Sequence, residues 1–167
     1  MTEPLTHELE ELFISCFGPP RFPMHDDHRP AARALVVALK RVSDTLPVRL
    51  ETEHVREAKA VRYPRIHAVL LVEREPLLWS LCAPSNVRGK KPAHYKLEIL
   101  PRRTHELPMR VFREVERIAK SVGARLGDGK LSPILQIGIT PAITEPHAKK
   151  IADAVADIAR VVLPVYQ

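Results

Sequence analysis

Sixteen prolines do most to limit what this chain of 167 residues can fold into. They are about twice the usual share of roughly 5%, and they fall between periodic segments instead of gathering in one tract. Proline lacks an N–H and pushes the residue before it out of the helical region, so each one limits how far a helix or strand can run. The chain must therefore be built from many bounded elements.

Between those boundaries the apolar spacing predicts the elements. Leu5, Leu9, Leu12, Phe13 and Cys16 share one helical face, which predicts a helix over 4–17 that begins near Pro4 and stops at Gly18-Pro19-Pro20. Residues 18–28 read as a loop. A second helix is expected over 30–46, with Asp27 or His28 near its cap and Pro30 near its start. Its inner face is Ala32, Leu35, Val36, Leu39, Val42 and Leu46, and Pro47 ends it. Residues 48–62 alternate imperfectly and read as one strand. Ile66–Glu73 and Leu77–Ala83 form a hairpin around the turn Glu73-Arg74-Glu75-Pro76, with Trp79 near the sheet centre and Pro64 and Pro76 bracketing the central strand. His94–Leu100 alternates as a half-buried strand. A helix over 105–122 follows, capped by Thr104 and closed by Gly123 and Gly127, with "GARLGDGK" read as a C-cap and a turn. Ile134–Ile139 is the next strand. The last helix, 145–163, has Thr144 as its N-cap and an unbroken face of Ala148, Ile151, Ala152, Val155, Ile158, Ala159 and Val162.

The resulting order, α-α-β-β-β-β-α-β-α, has four consecutive strands with no helix between them. That pattern predicts an α+β fold, a largely antiparallel sheet of about four to five strands packed by helices. A single domain over 1–167 is expected, with the helix and loop of 1–28 able to dock separately. Apolar residues at 45% and charged residues at 28% fit a soluble protein with a real core. Cys16 and Cys82 lie in apolar runs and read as buried, reduced thiols, which places the protein in the cytoplasm. Glu3, Glu8, Glu10 and Glu11 do not fit a secretory leader, and no apolar run approaches the ~20 residues of a membrane span.

The charge is segregated. Residues 85–130 hold twelve Lys/Arg against five Asp/Glu, a net +7, whereas 1–84 carry −1 and 131–167 are neutral. One part of this charge is Arg88, Lys90, Lys91, Lys96, Arg102 and Arg103. The other is Arg110, Arg113, Arg117 and Lys120, spaced by three, four and three along one face of a helix, opposite Val111, Val115, Ile118 and Val122. Glu114 and Glu116 flank this ridge, at i,i+4 from Arg110 and Lys120. Such a surface neutralises phosphates and releases counterions, Gly89 lets backbone amides approach an anion, and His94 and Tyr95 offer rings for stacking. The same charges also fit a solvated helix face. The 5% aromatic content argues against a binder that relies on stacked bases, and neither an RNP-type aromatic motif nor a zinc-finger spacing is present.

Other chemistry is thinner. His25-Asp26-Asp27-His28 offers four ligand types in a row, but adjacent side chains diverge, and only His25 with His28 would pair on a helical turn. Capping of the helix that follows is the simpler role. Glu57-Ala58-Lys59 has the spacing of a metal-dependent nuclease motif with Asp44 upstream, although Asp44 falls in a predicted helix. No G-x-S-x-G elbow, dinucleotide fingerprint or phosphate-binding loop occurs. His147 in a first helical turn reads as neutral and structural.

The expectation is a non-enzymatic binding protein, without metal or cofactor, that engages a polyanion, above all nucleic acid, through the 85–120 surface. The alternatives are a protein-interaction or assembly module, adaptor or chaperone-like and able to form a homodimer by its sheet edge, and a metal-dependent nuclease. Association with a membrane is not expected.

Overall fold

A computed structural model describes residues 6, 7, 10, 11, 13, 25–57, 61–70, 77–82, 96–99, 107–127 and 134–166. The architecture is α+β. A 3-10 turn, Asp26–His28, leads into α1, Arg29–Ser43, and four strands follow: β1 Val48–Glu57, β2 Val61–Leu70, β3 Leu77–Cys82 and β4 Lys96–Ile99. Next come α2, Met109–Ser121, the strands β5 Arg125–Gly127 and β6 Ile134–Gly138, and α3, Glu145–Tyr166.

All neighbours in the sheet are antiparallel, in the order β1-β2-β3-β4-β6-β5. Six strands stand where the sequence predicted four to five. One of the six was not expected, Arg125–Gly127, and β2 begins earlier than the expected Ile66, each for a physical reason. The stretch read as one strand over 48–62 divides into β1 and the start of β2, and the intervening Ala58-Lys59-Ala60 contains none of the Gly, Pro, Asn or Asp that mark turns. Arg125–Gly127, read as part of a turn, pairs with Ile134–Gln136 and is too short for alternation to register. Because β4 and β5 both run antiparallel to β6, they are parallel to each other, and α2 is the crossover between them.

Pro64 lies inside β2, opposite His54, and does not bracket the strand. It has no N–H to give a ladder, and its neighbour Arg65 pairs with Cys82, the last described residue of β3.

The helices form one layer, with α3 between α1 and α2, α1 touching β1 and α3 touching β3. Every residue of the predicted α3 face is buried, as are Ala154, Ala156 and Leu163, because helices flank α3 on two sides. Among the described side chains of the sheet, Leu97, Ile99 and Ile137, which faces Leu97, lie in the core. Burial of each such side chain is worth roughly 1.5–3 kcal/mol. Phe13 belongs to the same core at 1% exposure, and the Arg33 guanidinium lies 4.5 Å from its ring centre. Arg33 also donates to both Glu10 carboxylate oxygens, at 3.0 and 3.2 Å. His7, Glu10, Glu11 and Phe13 have helical backbone, and the rest of 4–17, including Cys16, lies outside the described residues apart from Thr6.

Several element ends differ from their expected places. Asp27 and His28 make no capping bond to α1. The 3-10 turn runs directly into the helix, and the Arg29 N–H bonds to the Asp26 carbonyl. α1 stops at Ser43, so Leu46 packs from the following turn. α2 begins at Met109 with Pro108 at its N-cap, rather than at residue 105 with Thr104 as the cap, because Pro108 keeps Leu107 out of the helical region. Its other end is the expected glycine cap. Gly123, at φ +89°, donates to the Lys120 carbonyl, and the Ala124 N–H reaches the Ala119 carbonyl, which is the Schellman arrangement. Thr144 sits at the α3 cap, its hydroxyl 3.4 Å from the His147 N–H. That helix continues through Pro164 to Tyr166. Among the described residues no helix is long and apolar enough to cross a membrane.

Candidate functional site

The basic ridge follows from how α2 is anchored. Val115, Ile118 and Ala119 are buried, Val111 and Val122 are half-buried, and the helix packs on α3. A helix fixed by that stripe must present its opposite side to water. Arg110, Arg113, Arg117 and Lys120 are all exposed.

Their charges are not equivalent. Glu116 pairs with Lys120 at 2.7 Å, as the i,i+4 spacing predicts. Glu114 goes to Arg117 and not to Arg110, accepting from Nε at 2.9 Å and from a terminal nitrogen at 2.5 Å. The two-pronged guanidinium contact fixes that choice. This hydrogen bond above all holds the Glu114 carboxyl below its ordinary range, against an opposing desolvation that exceeds the help from the Arg117 charge. Among the described residues Arg110 and Arg113 have no carboxylate partner. Both lie in the first half of α2, where the first turn carries no acidic residue. An anion there would also meet the positive end of the helix dipole.

Lys96 opens β4 opposite Cys82 and Gly138. Arg88, Lys90, Lys91, Arg102 and Arg103, with Gly89, His94 and Tyr95, lie outside the described residues.

The register reveals groups that spacing along the chain does not collect. Glu51, His67, Ser80, Glu98, Gln136 and Arg125 occupy one continuous row across all six strands. Glu98 in this row is only 7% exposed and accepts a hydrogen bond from Gln136 Nε2 at 3.2 Å. β4 is therefore not half-buried as its alternation predicted, since Leu97, Glu98 and Ile99 are all buried. A second group is cationic: Arg56 stands directly opposite Arg62, and Arg65 follows on β2. The alternating signs around these residues on β1 hid them.

No family model matches the chain, and no curated protein or solved structure does either.

The remaining chemical candidates do not assemble. The 3-10 turn brings the His25 and His28 rings to 5.0 Å between centres, but Asp26 faces the Arg29 guanidinium at 3.4 Å. Among the described residues no three His, Cys, Asp or Glu side chains are placed to hold a metal ion. Asp44 caps the C-terminus of α1, paired with Lys40, at the start of β1, while Glu57 ends that strand. The ten residues of β1 run roughly 30 Å from Val48 to Glu57. His147 Nε2 lies 3.4 Å from the Val122 carbonyl and ties α3 to the end of α2, a structural placement. Between α1 and α3 the small side chains of Ala34, Ala38 and Ala152 leave an open groove of about 450 Å³, rimmed by Arg41, Glu145, Lys149 and Asp153.

Proposed function

We propose that the protein is a non-enzymatic binding protein whose basic surface engages a polyanion, nucleic acid above all. The surface comprises Arg110, Arg113, Arg117 and Lys120 on α2, together with Lys96 and the sequence neighbours Arg88, Lys90, Lys91, Arg102 and Arg103. The observation that carries this reading is the pair Arg110 and Arg113, exposed and without a carboxylate partner among the described residues. A helix shaped only for solubility would compensate these cations as it compensates Arg117 and Lys120.

The pairing yields a ranking within one helix. Arg110→Glu with Arg113→Glu weakens binding to labelled oligonucleotides and lowers the log–log salt slope by about 0.9 for each phosphate no longer neutralised. Arg117→Gln with Lys120→Gln costs less, because carboxylates already offset those charges. All four side chains are exposed, so circular dichroism and thermal melting stay near the parent's. Equal binding by the Arg110/Arg113 variant and the parent contradicts the reading.

A second reading, an interaction or assembly module, is supported by β1, a ten-residue edge strand. An edge of that length can accept a strand from a partner or a second copy. Light scattering over a range of concentrations separates the two: a rising mass favours assembly, and a constant monomer mass disfavours a homodimer.

A further inference from the structure

We propose that the groove between α1 and α3 is a docking site for an amphipathic helix of a partner protein, one whose apolar stripe is flanked by a basic–acidic–basic row. The proposal goes beyond the polyanion reading. The groove's rim holds two cations, Arg41 and Lys149, and two anions, Glu145 and Asp153, so it has no net charge to attract a polyanion. The hollow, about 450 Å³, comes from side-chain size, because the two packed helices line it with Ala34, Ala38 and Ala152. Val37, Ala38 and Val42 remain half-buried there, an apolar strip that the fold itself does not cover. The lining runs from Ala34 to Val42 on α1 and from Glu145 to Asp153 on α3, roughly 12 Å along each helix at ~1.5 Å per residue. That length seats the i, i+3, i+4 and i+7 anchors of one docked helix.

The charges choose the occupant. Glu145, Lys149 and Asp153 follow one another at i, i+4 and i+8 along the α3 rim, and all three are exposed. That spacing lets Lys149 pair with either carboxylate. Among the described residues, however, none of the three forms an ion pair, although further along the same helix Asp157 and Arg160 close to 2.6 Å. The rim thus offers a partner an acidic, a basic and an acidic group at steps of roughly 6 Å. A small ligand or a lone ion meets one or two of them. A helix lying along the groove meets all three, because its own residues rise by the same steps. The sign pattern reads alike in both directions, so it leaves the direction of the docked helix open. A second copy meeting this surface groove to groove would leave the hollow unfilled.

Two labelled helical peptides test this. Both carry a leucine stripe at i, i+3, i+4 and i+7. One flanks it with a Lys-Glu-Lys row at four-residue spacing, the other with Glu-Lys-Glu. By fluorescence anisotropy at ~20 mM salt the parent prefers the first by about tenfold, and the preference shrinks as salt rises. Lys149→Glu with Asp153→Lys inverts the preference, and because both side chains are exposed the melting temperature stays near the parent's. Ala38→Leu fills the hollow and binds the first peptide about tenfold more weakly. Arg110→Glu/Arg113→Glu keeps the parent's preference, which separates this site from the α2 surface. Failure of both peptides to bind, equal affinity for the two, or an unchanged preference in the charge-swapped variant overturns the proposal. So does a folded Ala38→Leu variant that binds as the parent does; if that variant fails to fold, the charge swap decides. If the peptides fail while free leucine or phenylalanine shifts the Val37 and Lys149 amide NMR signals, the occupant is a small molecule and helix docking is overturned. A mass that doubles with concentration in the parent but not in Ala38→Leu assigns the groove to a second copy and overturns it too.

Discussion

Gly123 carries a conformational demand that can be isolated. Its φ of +89° costs an L side chain energy, yet nothing lies within 4 Å of an added Cβ. Gly123→Ala is therefore expected to lose about 1 kcal/mol from backbone strain alone, lowering Tm by about 2–4 °C in a chain of this size. Gly123→Asn should lose less, and equal melting of all three proteins would contradict a strained backbone at this position. Glu114 offers a second residue-scale prediction. Its folded carboxyl titrates below the ordinary range because Arg117 donates to the ionised form. The pair's small contribution to stability is complete above the unfolded value and fades as pH falls through the depressed folded one. Carbon-detected NMR titration should find that low midpoint, and Arg117→Gln should return it to the ordinary range. At this scale the chain was legible where one residue type dictates a conformation, as Gly123 does at a helix end. It was not legible where two partners compete for one side chain. Spacing alone offered Glu114 both Arg110 and Arg117, and only the two-pronged geometry decides between them.

Elements with strong helical periodicity could be read from the sequence because a buried helix stripe repeats over many residues. α3 buries every residue of its predicted face. Strands were harder. Ala58-Lys59-Ala60 gives no turn signal in the sequence, so the expected first strand ran on into the start of β2. The three residues of β5 offer too few positions for alternation. Alternation over His94–Leu100 predicts a half-buried strand, yet Glu98 is buried, because alternation reports polarity and not what lies on the other face. The N-terminal segment tests packing at this scale. Phe13 is in the core, whereas the Glu10–Arg33 pair is half-exposed. Phe13→Ala should cost about 3–5 kcal/mol and Glu10→Gln under about 1 kcal/mol by urea denaturation. Similar losses for both would mean that the ion pair, not the ring, holds the segment.

Over the whole molecule, charge counted along the chain and charge placed by the fold give different maps. Linear counting finds +7 in 85–130 and −1 in 1–84, and so directs attention to 85–130 alone. Within that second stretch residues 54–65 are basic, and most of the offsetting carboxylates lie elsewhere in sequence. Register then sets Arg65 in one row with Lys96, which no local window can reveal. The helix layer, in contrast, follows directly from the three apolar stripes. If this cationic architecture serves a polyanion, fluorescence anisotropy of labelled duplex and single-stranded oligonucleotides will show it when the parent protein is titrated in at several salt concentrations. The expected result is saturable binding whose log–log salt dependence has a slope of several units, the mark of multiple neutralised phosphates. No binding at roughly 50 mM salt, where such interactions are strongest, would refute a polyanion role and leave the cations as solubilising surface.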